Sequence, residues 1–334
     1  MFITFCEAEE WEKNYFEKAL ADCELQFLTG TLNADSEEDV SQTEVLATFI
    51  YSKIDARLLK KMPNLKLVIT RSTGFDHIDL TACEERGILV ANVPNYGENT
   101  VAEHAFSLIL ALSRKIIPSV DKVRHGEFNV DGLRGFDLFG KTIGIIGTGK
   151  IGARVASIAH GLGMEIIGYD INQNQSLIKD FSLKYVTLDE LLANSDVISL
   201  NMRHTAETHH LIKKETLAKI KKGAILVNTA RGGLIDTPEL LPALENGTLA
   251  GVGLDVLEDE GSIKEDMQIL SKHFPKRSMM VSLANNILMR RPNVIITPHN
   301  AFNSDEALER IMDTTIENIR AFQQDNPINI VANS

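Results

Sequence analysis

The stretch 141–170, KTIGIIGTGKIGARVASIAHGLGMEIIGYD, decides how the chain is read. An apolar run, Ile143 to Ile146, leads into Gly147, Gly149 and Gly152 at the spacing G-x-G-x-x-G. A helical pattern follows, with Ile151, Val155, Ile158, Ala159 and Leu162 on one stripe and Gly163 as its stop. A second apolar run then ends in an acid, Asp170, 18 residues after Gly152. The glycine spacing alone is a weak signal. Strand, glycine turn, helix, strand and terminal acid in that order point to dinucleotide binding. Gly147 makes the tight turn, Gly149 lets the main chain approach a pyrophosphate, and Gly152 lets helix and strand pack closely. The pyrophosphate meets the helix N-terminus, whose unpaired N–H groups favour an anion. Asp170 accepts from a ribose 2′-hydroxyl and repels a 2′-phosphate, so NAD is expected rather than NADP.

Outward from this unit, the same alternation continues in both directions. Toward the C-terminus, 196–201 (DVISLN), 224–229 (AILVNT), 251–256 (GVGLDV) and 293–298 (NVIITP) read as strands. Helical patterns at 188–194, 214–220 and 237–247 separate them. Toward the N-terminus, FITFC, ELQFL, VLATFI, LKLVIT and ILVANV read as short buried strands, again with helical pieces between. Alternating strands and helices mean βαβ units and parallel sheets. The segment 99–117, NTVAEHAFSLILALSRKII, reads as one helix with a Thr100/Glu103 capping box. It is apolar nearly all round, which predicts an element packed between domains or subunits. The last helix, 304–325, is amphipathic, with Ala307, Ile311, Ile319 and Phe322 on one face.

Composition narrows the classes. A chain of 334 residues is long for one core, so two domains are expected. The net charge of −12, with no basic run, argues against nucleic acid and anionic membrane as partners. No apolar stretch reaches the roughly 18 residues that a membrane span needs. The N-terminus turns acidic at once and does not read as a signal peptide. Cys6, Cys23 and Cys83 form no C-x-x-C pair. They read as buried apolar residues in a reducing, cytoplasmic setting, with no metal site expected.

The stretch 228–236, NTARGGLID, raises a question of its own. Arg231 stands at a strand end, followed by two glycines. It is either a solvated loop residue or a charge that the turn holds still. Asp255 closes the next strand, the acids 258 to 260 follow it, and His299 closes the last strand. In an open parallel sheet, these ends meet the ligand edge. Each residue taken singly has a structural reading; together, at successive strand ends, they point to a site.

In RSTGFDHIDL, NVPNYGENTVAEHAF, GIIGTGKIG, VNTARGGLID, GVGLDVLEDE and TPHNAF, taken in this order, the chain resembles the D-isomer-specific 2-hydroxyacid dehydrogenase family. Within that family it is most similar to the D-lactate dehydrogenases. The resemblance covers nearly the whole chain and implies an α/β fold of two Rossmann-like or flavodoxin-like parallel-sheet domains with a cleft between them. It implies a discontinuous catalytic domain, 1–98 and 300–334, and an NAD-binding domain, 99–299. It makes Arg231 the binder of the substrate carboxylate, to which a planar guanidinium pairs with two hydrogen bonds. It makes His299 the acid/base, giving a proton to the keto oxygen while the nicotinamide gives a hydride. Glu260 falls at the position of the histidine's partner, where a carboxylate orients the ring and favours its charged form. Glu258 and Asp259 are its neighbouring rivals.

The same resemblance assigns the cofactor to Gly147, Thr148, Gly149, Lys150, Ile151, Gly152, Asp170, Met202, Thr229, Ala230 and Asp255, with Asp255 at the nicotinamide carboxamide. It assigns the substrate to the main chain of Ser72, Thr73 and Gly74 and to Tyr96. Phe49 and Phe302 either line the side-chain pocket or are ordinary core aromatics. Two features depart from the pattern. Arg203 stands where related chains carry proline, which leaves some room for NADP. His299 lies 39 residues after Glu260, and the insert between them either covers the site or lies on the surface. The expected reaction interconverts a small 2-keto acid and its D-2-hydroxy acid, pyruvate and D-lactate first, in a homodimer. Glyoxylate, hydroxypyruvate or phosphoglycerate-type dehydrogenases are the rival enzymes. An NAD(H)-sensing, corepressor-like binding protein is the rival of another class.

Overall fold

The computed structural model describes residues 1–260 and 276–331. The chain divides into two compact units, Met1–Tyr96 with the chain from Asn303, and Gly97–Phe302. The first part of the insert, 261–275, lies outside the described residues, and with it the question of whether the insert covers the site.

In the first unit, β1 (Phe2–Phe5), β2 (Glu24–Phe27), β3 (Val45–Thr48), β4 (Leu67–Thr70) and β5 (Leu89–Ala91) form a parallel sheet. Their order is β2-β1-β3-β4-β5. Alternation sorts the side chains onto two faces. Ile3, Phe5, Val45, Ala47, Leu67 and Ile69 pack with Phe16, Met312 and Ile319, whereas Leu46, Val68 and Val90 pack with Leu58, Leu59 and Met62. Both faces are covered, as a parallel sheet requires. One cover is the helix Asp305–Gln323, started by Ser304, whose side chain accepts from Ala307 N. Val331 N then donates to Val90 O at 2.8 Å, so the end of the described chain lines the edge strand β5.

In the second unit, β6 (Thr142–Ile146), β7 (Glu165–Tyr169), β8 (Lys184–Tyr185), β9 (Val197–Leu200), β10 (Ala224–Asn228), β11 (Leu249–Leu254) and β12 (Val294–Ile296) are again parallel. Their order is β12-β11-β10-β9-β6-β7-β8. The chain winds from β6 out to β8 and returns to lay β9 on the other side of β6. That reversal is the switch point outside which open sheets bind ligands. Gly147, Met202, Arg231, Asp255 and His299 follow β6, β9, β10, β11 and β12, so all lie at the C-terminal edge of one sheet.

Several local expectations need correction. The helix expected over 99–117 is two helices, Glu98–Ser113 and Ile116–Arg124. Lys115 separates them in a left-handed conformation, φ 52°, which an α-helix cannot carry. The first helix has Gly97 as its N-cap, with no side-chain cap, so Thr100 and Glu103 lie inside it and do not form the capping box. Nor is the segment buried all round: Glu103, Ser107 and Leu110 face outward, and the second helix buries none of its residues. In the helix Lys150–Gly161 the buried residues are Gly152, Val155, Ala156 and Ala159, while Leu162 is exposed. Cys6 and Cys83 are buried but Cys23 is only half-buried. Among the described residues, no helix is long and apolar enough to cross a membrane.

Candidate active site

The glycine turn follows β6. Gly147 has φ +90°, and a Cβ there would lie 2.7 Å from the carbonyl carbon of Asn201. A Cβ on Gly152 would lie 2.0 Å from Gly147 O, so helix and turn touch through backbone alone. Gly149 differs: a Cβ there would meet nothing within 4 Å. It stands at the start of the helix Lys150–Gly161, whose first N–H groups no side chain caps. Open space against uncapped N–H groups fits a pyrophosphate. Asp170 Oδ2 accepts from Thr148 N at 2.6 Å and Thr148 Oγ1 at 3.2 Å, and Oδ1 accepts from Asn172 N at 2.9 Å. The carboxylate is thereby fixed beside the turn. Lys150 is exposed and forms an ion pair with Glu98 at 3.3 Å; Ile151 is half-buried.

Past β9, Met202 is half-buried, and Asn201 Oδ1 is a buried atom with no partner among the described residues. Past β10, Thr229 Oγ1 is in the same state. Buried polar atoms are rarely left unpaired, so these two fit the edge of a polar ligand. Ala230 N donates to Asn228 Oδ1 at 3.0 Å, and Ala230 O accepts from Arg231 Nη1 at 2.8 Å. Arg203 is exposed on the next loop.

Arg231 precedes a 3-10 turn, Gly232–Leu234. Neither glycine has a positive φ; both are required by close approach. A Cβ on Gly232 would lie 2.1 Å from Leu257 C, and one on Gly233 would lie 2.7 Å from His204 Nε2. The Arg231 turn is therefore pressed against the main chain that follows β11.

That main chain carries the acids. Glu260 Oε1 accepts from Leu257 N at 2.9 Å, and Oε2 lies 2.9 Å from His299 Nδ1. A carboxylate only accepts, so Nδ1 carries the hydrogen and Nε2 is the nitrogen left to exchange a proton. His299 sits at φ 53°, and its N–H donates to Asp255 O at 2.8 Å and Thr297 O at 2.9 Å. Glu260, not Glu258 or Asp259, is the acid paired with His299. Asp259 is exposed, and Glu258 turns to His210 and Arg277.

Asp255 is 1% exposed, and its carboxylate holds the His299 loop. It accepts from Thr297 Oγ1 at 2.5 Å, Asn300 N at 3.0 Å and Ala301 N at 2.9 Å, and lies 3.3 Å from His104 Nε2. Burial pushes its carboxyl up, but hydrogen bonds from His104, Thr297 and Ala301 outweigh this and hold it below the usual carboxylate range. His104 and Thr297 were not singled out in the sequence. A lone histidine in an apolar helix and a threonine before proline carry no local signal.

In the first unit, Phe49 and the Ser72–Gly74 loop follow β3 and β4 at the C-terminal edge of that sheet. The loop's carbonyls are all engaged: Ser72 O by Val93 N, Thr73 O by Asn92 Nδ2, and Gly74 O by Ser72 Oγ. Among the described residues no acceptor meets the N–H groups of Ser72, Thr73 or Gly74. Phe49 is half-buried, with the buried Arg71 guanidinium 5.8 Å from its ring centre. Tyr96 is half-buried and its carbonyl accepts from Arg310 Nε at 2.9 Å. Phe302, in the second unit, is also half-buried.

Comparison with known proteins agrees with this chemistry. Residues 106–301 match the model of the D-isomer specific 2-hydroxyacid dehydrogenase NAD binding domain. The "2-hydroxyacid dehydrogenase homolog 1" of Schizosaccharomyces pombe is 38% identical, over 100% of both chains. A glyoxylate reductase of Korarchaeum cryptofilum is 36% identical over 88% of this chain and 84% of its own. The structure of a D-lactate dehydrogenase from Aquifex aeolicus, complexed with NAD and lactic acid, superposes with a TM-score of 0.88 at 37% identity, covering 99% of each chain. A glycine turn with open space at a helix start, a histidine–glutamate pair at the same sheet edge as an arginine and these full-length relatives lead to one conclusion: the chain belongs to the D-isomer-specific 2-hydroxyacid dehydrogenase family and is an NAD-dependent oxidoreductase.

Proposed function

We propose that the protein reduces pyruvate to D-lactate, or catalyses the reverse oxidation, with Arg231, His299 and Glu260 as its catalytic residues. The observation that carries this reading is the 2.9 Å pairing of Glu260 Oε2 with His299 Nδ1, at the same sheet edge as Arg231: Glu260 follows β11, the neighbour of the Arg231 strand β10, and His299 follows β12, one strand further. When bound, NADH would supply the hydride for the reduction, and NAD would accept it in the reverse oxidation. Arg231 pairs with the substrate carboxylate through its planar fork, which fixes the orientation of the adjacent carbonyl. His299 Nε2 delivers the proton to the carbonyl oxygen as that oxygen gains charge, and takes it back in the other direction. Glu260 holds the ring through Nδ1, which leaves Nε2 for this transfer. In the first unit, the N–H groups of Ser72, Thr73 and Gly74 are donors of the kind a carboxylate takes, and Tyr96, Phe49 and Phe302 are the other substrate-binding residues of this reading. On the cofactor side, Gly147 to Gly152 hold the pyrophosphate, Asp170 the adenosine ribose, and Met202, Thr229, Ala230 and Asp255 the remainder. Lactic acid as the ligand of the Aquifex aeolicus structure supports the choice of substrate.

The test is NADH oxidation with pyruvate, glyoxylate, hydroxypyruvate, 2-ketobutyrate, phenylpyruvate and 2-ketoisocaproate. Pyruvate is expected to give the highest kcat/KM. A clear preference for glyoxylate or hydroxypyruvate replaces the substrate and keeps the mechanism; NADH binding without turnover of any member removes the enzymatic reading. We also propose a homodimer, because the Ile116–Arg124 helix presents Ile116, Ile117, Val120 and Val123 to solvent.

A further inference from the structure

The turn that carries Arg231 follows β10, and the turn that carries Glu260 follows β11. Glu258 stands where the two meet. A Cβ on Gly232 would lie 2.4 Å from Glu258 N, so the backbones are in direct contact. The Glu258 side chain is nearly buried and is tied to the Arg231 turn at two places, directly beyond its end and through His210 at its middle. Its Oε2 accepts from Thr237 N at 3.1 Å, just beyond that turn. Its Oε1 lies 3.0 Å from His210 Nε2, and His210 N in turn donates to Gly233 O at 2.9 Å. Arg277 supplies the counter-charge: its Nη2 lies 3.0 Å from Glu258 Oε1 and 2.6 Å from Asp236 Oδ1. Asn285, from the same helix Lys276–Leu288, donates from Nδ2 to Glu258 O at 3.1 Å. Between Glu258 and Glu260, Asp259 takes φ 55°, so the direction of the Glu260 side chain depends on one left-handed residue that Glu258 anchors.

His210, Asp236 and Glu258 place ligand-type atoms within 4.8 Å of one another. A metal ion is not the occupant this arrangement favours, because the Arg277 guanidinium already lies against both carboxylates. A charged cluster this well hydrogen-bonded serves geometry. We propose that Glu258 is a positioning residue, which fixes the carboxylate-binding Arg231 against the Glu260–His299 pair, with Arg277 as its partner. The proposal rests on the catalytic roles given above to those three residues. It couples the helix Lys276–Leu288, from the insert, to the chemistry.

The test compares Glu258→Gln, Arg277→Met, Arg277→Lys and Arg231→Gln in steady-state kinetics with pyruvate, or the 2-keto acid turned over fastest, using NADH and 4-deuterated NADH. Glu258→Gln is expected to raise keto-acid KM and lower kcat, together about 10- to 100-fold in kcat/KM, the scale of a misplacement of 1 Å or less. The primary isotope effect on kcat grows, because hydride transfer becomes slower than release. NADH affinity, read by fluorescence, stays within about twofold, since Glu258 touches none of the glycine turn. Arg277→Met moves the same quantities in the same direction, and Arg277→Lys restores most of the loss. If Glu258→Gln does not fold, the two Arg277 variants, at the half-exposed end of the cluster, carry the test. An unchanged keto-acid KM and isotope effect, with only a lower melting temperature, overturns the proposal and makes the cluster purely structural. Arg231→Gln separates the two levels. If it leaves keto-acid KM unchanged, the carboxylate reading itself fails; if it raises KM while Glu258 and Arg277 variants do not, only the positioning role falls.

Discussion

Arg231 leaves β10 in an extended conformation, φ −146° and ψ 139°, and its carbonyl is held by Asn228 Nδ2 at 2.8 Å, so the guanidinium departs from a fixed main chain. Replacing it with glutamine keeps the length and removes the charge. Arg231→Gln is expected to lower kcat/KM for the keto acid about 100-fold or more, mainly through KM, because a paired carboxylate loses its charge-assisted hydrogen bonds. NADH titration by fluorescence should be nearly unchanged; a collapse there instead would move Arg231 to the cofactor. His299→Gln keeps a donor toward Glu260 but cannot carry the proton. It should lower kcat by about 10²- to 10⁴-fold, the usual contribution of an acid/base group, again with NADH affinity retained. Asp255 adds a pH dependence at the same scale. Its folded carboxyl is held below the ordinary range, so its contribution to stability is complete above the unfolded value of about 4 and is lost as pH falls through the lower folded value. The urea midpoint of the wild type should therefore drop in that acidic window. Asp255→Asn should be less stable at neutral pH and lose less on acidification; a wild-type-like slope would show that other carboxylates set the response.

At the scale of the elements, two glycines make opposite predictions. Gly232→Ala drives a Cβ into Leu257 C and O, both 2.1 Å away, and both are backbone atoms that cannot swing aside. It should destabilise the protein by about 1–3 kcal/mol, as overpacking does, and lower activity by moving Arg231. Gly149→Ala has open space around its Cβ and should leave thermal stability within about 0.5 kcal/mol, as surface changes do. NADH affinity should fall instead, since the methyl occupies the space left for the pyrophosphate. Equal loss of stability in both variants would contradict this contrast. The pair also shows what a sequence can display. Gly147, Gly149 and Gly152 serve a local turn whose reason is contained in the residues beside it. The reason for Gly232 lies 25 residues away in Leu257, so nothing in the sequence beside it displays why a glycine stands there. The Thr100/Glu103 pair fits the capping pattern, yet the helix begins at Glu98 and absorbs both residues. Lys115 gives no hint of its left-handed conformation, and β8, two residues long, is too short for any period to register. Of the three acids after β11, spacing alone left the histidine's partner open; the bond from Leu257 N to Glu260 is a tertiary detail.

For the whole molecule, alternating apolar runs were enough to read two parallel sheets, because a strand buried on both faces must be apolar along its length. The return of the last helix to the first sheet was not legible that way. The amphipathic face of 305–323 shows that the helix covers something; the resemblance, not the pattern, assigned it to the first domain, and Met312 and Ile319 packing with Ile3 and Phe5 shows the face it covers. Apolar pattern has the same limit at the Ile116–Arg124 helix. There it suggested burial, while Ile116, Ile117, Val120 and Val123 are exposed, and Phe128 and Val130 beyond them are 94% and 83% exposed. So many large apolar side chains on one short segment cost solubility unless another surface covers them. A second copy of the chain is the cover proposed here. Light scattering at micromolar concentration should then give twice the 37.0 kDa chain mass. The double variant Ile117→Glu/Val120→Glu, which places charge on the helix without touching β6–β12, should scatter as a monomer and keep its NADH affinity. A wild type that scatters as a monomer removes the dimer, and a variant that stays dimeric moves the interface to another face.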